Sequence, residues 1–170
     1  MNVVRAYEYL TKARARLFEW VRPLSKEQYT HEFPFAHHTL QATMVEMATA
    51  EWLYATRLQR ETVPPRDQWP ISVKRQPTFP ELEAAWTAQV PETRRTLAAI
   101  TDWETPFEYR VSQPGKTIVI TATPADVATQ LCFHEVHHRA QAMAMLRQLG
   151  VEAQNLDYSA FMYGRREEPA

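Results

Sequence analysis

The six histidines of this chain fall in two short groups, His31, His37 and His38 in one and His134, His137 and His138 in the other. The second group reads His134-Glu135-Val136-His137-His138, a letter-for-letter H-E-x-x-H string. Residues four apart on a helix share a face, so His134 and His138 present two imidazoles about one turn apart, a spacing that chelates a divalent metal. The plainer alternative is a pair of core histidines, each hydrogen-bonded to a neighbour. A metal site in a helix bundle takes at least one more ligand from another helix. Two acids in an apolar stretch upstream, Glu46 and Glu51, are candidates, because a buried carboxylate calls for a cation or a metal. His37 and His38 are further imidazoles, but along a helix axis they would lie about 12 Å from Glu46, which favours an exposed or capping pair. His137 is about 100° round the helix from His134 and is expected to be exposed or to support a ligand.

The protease reading of H-E-x-x-H makes stricter demands. It needs Glu135 as general base beside a metal-bound water, and a third ligand downstream. Only 32 residues follow His138, with Glu152 and Asp157 as candidates, and no series of strands precedes the helix to hold a peptide. Glu135 also points to the side, about 100° from His134. A motif without its structural context is weak support for that chemistry.

Four segments carry the periodicity of helices that could position these groups. The first covers about 2–22, with Val3, Tyr7, Leu10, Leu17 and Val21 at helical spacing and a stop before Pro23. The second, about 39–61, is apolar nearly all round and should be largely buried. The third, about 79–101, opens with a capping box at Thr78-Phe79-Pro80-Glu81 and contains Pro91, where a kink is expected. The fourth, about 124–149, has Thr123 as N-cap, Pro124 in the first turn and Gly150 as its stop. Its stripe Val127, Leu131, His134, His138, Gln141 and Met145 is mostly apolar, which points both histidines into a bundle. Residues 108–112 and 116–121 flank Gln113-Pro114-Gly115 and read as a hairpin that must pack on the helices. The expected fold is all-α: a four-helix bundle with long connections and a small β-hairpin before the last helix, as one domain over 1–170. Connections near 23–38, 62–78 and 102–122 exceed the usual bundle lengths and permit crossovers. The tail after Gly150 is too aromatic to be simply disordered.

Composition narrows the function. Charged side chains number 19 basic against 20 acidic, for a net charge of −1. No basic excess suggests nucleic acid as a partner. Only three glycines occur, and none cluster as a phosphate-cradling loop requires. The single cysteine, Cys132, cannot form an intrachain disulfide. No secretory signal pattern opens the chain and no apolar run approaches the ~18 residues of a membrane span, so a cytoplasmic location is expected.

At this point the sequence resembles the DinB/YfiT-like metal-binding four-helix bundles. The family's last-helix signature is His, three residues, then His-Arg-Gly-Gln. Here it reads His134-Glu-Val-His-His138-Arg139-Ala140-Gln141, with alanine for glycine. In the second helix the family shows His, four residues, Glu and bulky apolar positions; Glu46-Met-Ala-Thr-Ala-Glu51-Trp52-Leu53 fits that frame, with Glu46 in place of the first histidine. The hairpin and the tail from Leu149-Gly150 to Leu156-Asp157-Tyr158 are similar too. The resemblance implies a divalent metal, commonly zinc or nickel, held by three histidines with water completing the shell. It also implies thiol S-transferase or hydrolase chemistry and a homodimer. The set Glu46, His134 and His138 departs from three histidines yet stays competent for Zn²⁺, Ni²⁺, Fe²⁺ or Mn²⁺. The site then acts on an electrophilic small molecule through a metal-bound thiolate, from a low-molecular-weight thiol, or through water. The alternatives are a binding bundle with a vestigial site, and a structural dimer whose histidines are buried polar groups.

Overall fold

Each long helix begins where its sequence provides a cap. The fold is a computed structural model that describes residues 2–72, 75–164 and 166. Helix α1, Val3–Val21, starts at Asn2, whose side chain accepts from the Arg5 N–H. A short α2, Lys26–Tyr29, is closed by a Ser25–Gln28 capping box. Helix α3, Leu40–Leu58, has Thr39 as N-cap, and α4, Phe79–Ala99, has the Thr78–Glu81 box. Pro91 lies within α4 without interrupting it. Helix α5, Pro124–Gln148, is capped by Thr123 and Asp126. It ends with Gly150 at φ +85, the Gly150 N–H on Arg147 O at 3.1 Å and the Val151 N–H on Leu146 O at 3.0 Å. That double bond pattern with a left-handed residue is the Schellman stop. A last short helix, α6, Tyr158–Met162, follows.

Four long helices form a mostly α bundle in which α3 packs on α5 and α4, and α1 packs on α5 and α4. The chain therefore passes across the bundle between α1 and α3 and again between α4 and α5, which is what the long connections are for. Leu10, Leu17, Met44, Met47, Leu82, Trp86, Leu97, Met145 and Leu146 fill the centre. Helix α3 is buried over most of its circumference, as its apolar character requires. The second crossing carries the hairpin: β1, Phe107–Gln113, pairs antiparallel with β2, Lys116–Ala122, around Pro114-Gly115. Phe107 anchors it in the core, and Arg57 and Arg60 of the α3 end lie over the Tyr109 and Phe107 rings at 4.5 and 4.8 Å.

Aromatic rings tie residues 156–161 of the tail to α1. Tyr9 packs edge-on to Tyr158 at 5.1 Å, and its hydroxyl donates to Leu156 O at 2.6 Å. Two short helices, α2 and α6, and a 3₁₀ turn at Arg66–Gln68 lie in segments that periodicity reads only as connection or tail. At three to five residues each is too short to show a repeat. Among the described residues no helix is long and apolar enough to cross a membrane.

Candidate metal centre

The Thr39 side chain accepts from the Ala42 N–H at 3.0 Å and starts α3 so that Glu46 comes up in its second turn, facing α5. The Glu46 side chain is 35% exposed and its Oε1 lies 3.7 Å from Nε2 of His134, whose side chain is 16% exposed. The His134 and His138 rings stand 4.4 Å apart, as the four-residue spacing dictates. The His37 ring lies 4.9 Å from that of His138. His37, Glu46 and His138 each offer one ligand atom, all within 4.8 Å of one another, and so can hold a metal ion. His134 borders this group through Glu46 and His138. Thus the structure gathers Glu46 and His138 with His37, and leaves His134 beside them.

The place of His37 corrects the expectation of an exposed or capping pair at the start of α3. That expectation extended the helix axis backwards, but residues 31–39 are not helical. Positive φ at Ala36 and His38, 52° and 64°, reverses the chain. The reversal is closed by the Phe33 N–H on His38 O at 2.6 Å and by a Glu32–Thr39 bridge, so His37 folds back against α5. His38 itself is exposed, as expected, its Nδ1 3.2 Å from Phe33 O, and His31 packs edge-on to Phe33 at 4.9 Å. Both shape the loop. His137 is exposed, as expected.

The electrostatics suit ligation. Nδ1 of His138 lies 2.7 Å from Gln141 Oε1, an acceptor, so this nitrogen carries the proton and Nε2 keeps its lone pair. The Gln141 amide in turn donates to Nε2 of His137 at 2.9 Å. Burial, reinforced by the neighbouring His138, pushes His134 down to about 4 against the opposing pull of Glu46. Burial also lowers His138. Both imidazoles are neutral at pH 7, the form that binds metal. A cavity of about 140 Å³ opens beside the group, lined among others by Glu46, Leu53, Tyr54, Arg66, Trp69 and His134. The Tyr54 ring stands edge-on to His134 at 5.9 Å.

The other two acids singled out by the sequence belong to a different structure. Glu51 is 2% exposed and accepts four bonds: Tyr7 Oη at 2.5 Å, Arg14 Nη2 at 2.5 Å, Trp86 Nε1 at 2.8 Å and Thr93 Oγ1 at 2.8 Å. Glu135 is 3% exposed and takes the same Arg14 Nη2 at 2.6 Å, with Arg139 Nη1 at 3.6 Å. Arg14 lies 4.1 Å from the Trp86 ring centre. Arg139 donates to the Tyr9 hydroxyl. Glu135 is thus held in the bundle centre by Arg14 and Arg139 rather than presented beside the histidines as a protease base. The α5 stripe shifts accordingly. Its most buried line runs through Ala128, Leu131, Cys132, Glu135, Arg139, Ala142 and Leu146, and the two histidines sit at its margin. Apolarity alone hides that line, because it counts Glu135 and Arg139 as outward. Arg14 was legible in principle: 7, 10, 14, 17 and 21 form one α1 stripe, and a lone cation inside it answers a buried acid elsewhere.

The sequence model of the DinB family matches residues 1–169, essentially the whole chain. No curated protein matches it.

Proposed function

The chain belongs to the DinB family, and from that premise we propose that it is a metal-dependent enzyme of thiol S-transferase or hydrolase type acting on an electrophilic small molecule. The observation that carries this reading is the convergence of His37, Glu46 and His138 within 4.8 Å beside a cavity. Two imidazoles and one carboxylate fit Zn²⁺ or Ni²⁺, and also Fe²⁺ or Mn²⁺. Glu46, His134 and His138 remain the set read from the sequence; His37 competes with His134 for the third place. When bound, the ion supplies an open position at which water or a thiol loses its proton near neutral pH. Glu46 in place of a histidine lowers the charge of the site by one and moderates that acidification. Gln141 holds the Nδ1 proton of His138 and so fixes which nitrogen faces the group. Leu53, Tyr54 and Trp69 offer the electrophile an apolar wall and exclude water from it. The reading takes residues 1–170 as one domain, in a homodimer and in the cytoplasm.

Metal analysis of the purified protein tests the site. We expect about one equivalent of divalent metal, weakened binding in Glu46→Gln and retained or stronger binding in Glu46→His. Metal content unchanged in Glu46→Gln removes Glu46 from the ligand set. His37→Ala and His134→Ala, compared in the same titration, decide between the two imidazoles. Assays of thiol conjugation and of ester and amide hydrolysis with Zn²⁺, Ni²⁺ and Mn²⁺ then test the chemistry. Bound metal without turnover on any of these substrates favours the vestigial binding site that the Glu46 substitution suggests.

A further inference from the structure

The wall of the cavity opposite α5 comes from residues 66–72 of the α3–α4 connection, and Trp69 and Ile71 hold it in place. Trp69 is 9% exposed, its indole N–H donates to Pro64 O at 2.8 Å, and its ring packs on Trp52 at 5.5 Å. Thr49 of α3 donates to Ile71 O at 3.3 Å and ties the segment down just beyond that ring. Arg66, in the 3₁₀ turn, lies over Trp69 with its guanidinium carbon 5.3 Å from the ring centre. Among the described residues no acidic side chain is within ion-pair distance of Arg66. Among the described residues the cavity therefore has a His/Glu end, an apolar middle of Leu53, Tyr54 and Trp69, and one cation. A guanidinium over an indole face can offer its N–H fork to a planar anion, and a carboxylate fits that fork with two parallel bonds. A volume of about 140 Å³ suits a small molecule.

We propose that this cavity selects a small substrate bearing a carboxylate, with Arg66 as the specificity-determining residue that binds the carboxylate and turns the rest of the molecule towards the His/Glu group. The inference rests on the reading of that group as the reactive end of the cavity. Leu53 and Trp69 take the carbon chain between the two ends.

The test is binding of crotonate against its neutral isostere crotonamide, followed by calorimetry, with the protein both zinc-loaded and freed of metal by chelation. Wild type should bind crotonate at least about tenfold more tightly than crotonamide, and Arg66→Gln should erase that preference while leaving crotonamide affinity and zinc content unchanged. Arg66→Lys, which keeps the charge but loses the fork, should recover only part of it. Equal affinity for the two probes in wild type, no binding of either up to about 10 mM, or an undiminished preference in Arg66→Gln each overturns the proposal. A preference that needs zinc and ignores Arg66 places the carboxylate on the metal and overturns it as well. Should the protein bind no metal while the Arg66-dependent preference persists without it, the metal reading fails and the carboxylate site stands.

Discussion

Removing Arg14 should cost this protein more stability than any substitution at its surface. In Arg14→Met the side chain volume and the packing against Trp86 are largely kept, but the one cation between Glu51 and Glu135 is gone. Glu51 retains three donors, from Tyr7, Trp86 and Thr93, whereas Glu135 retains, among the described residues, only Arg139 at 3.6 Å. Breaking a buried pair by deleting one partner costs about 3–5 kcal/mol, because the other charge stays buried. At roughly 2–4 °C per kcal/mol for a chain of this size, the melting temperature should fall by roughly 6–20 °C. The loss should also depend on pH, with a definite sign. Glu135 is already raised above the ordinary carboxylate range in the wild type, mainly by burial and against the pull of Arg14, and without Arg14 it rises further. The folded state then holds a proton that the unfolded state releases. Stability of the variant should be greatest below the unfolded carboxylate value near 4.3 and should fall as pH rises towards the higher folded value, by up to 1.36 kcal/mol per pH unit for one proton. Urea denaturation from pH 4 to 8, with chelator present, measures this. A loss below about 1 kcal/mol at pH 7, or a variant whose deficit shrinks as pH rises, would refute the account of the network.

Other expectations concern single contacts. Gln141→Ala removes the acceptor that fixes the His138 tautomer, so zinc affinity in a competition titration should drop by roughly 10–100-fold while the metal-free melting temperature hardly moves; unchanged affinity speaks against the assignment. Burial, with Glu135 and Glu51 behind it, pushes the Cys132 thiol up to about 12. At pH 8 a disulfide reagent should therefore label the native protein at least about a hundredfold more slowly than the urea-unfolded chain, and comparable rates would show the thiol to be accessible. Gly150→Ala should cost about 1–2 kcal/mol in urea denaturation from the left-handed backbone alone, since an added Cβ meets nothing within 4 Å. A neutral substitution would mean that the α5 stop relaxes freely.

What the sequence determined is whatever is encoded within a few residues. Caps at Thr78 and Thr123, the stop at Gly150, the hairpin turn at Pro114-Gly115 and the apolar repeats of four long helices are all local, so the bundle and its hairpin were readable. The His134–His138 pairing was readable for the same reason: a helix fixes the relation of i to i+4. Glu46 entered with Glu51 as an acid in an apolar helix, and its alignment with a family frame set it apart as the ligand. What only the tertiary structure decided is which distant groups meet. His37 reaches His138 because two residues at positive φ fold its loop back, and such reversals leave no periodic trace. Glu51 and Glu135 look alike as acids in apolar helices, yet both are claimed by an arginine on a third helix, while Glu46, less buried, is left facing the histidines. The partner of a buried charge is chosen by the packing of whole helices against each other, and that choice is not made within any one of them.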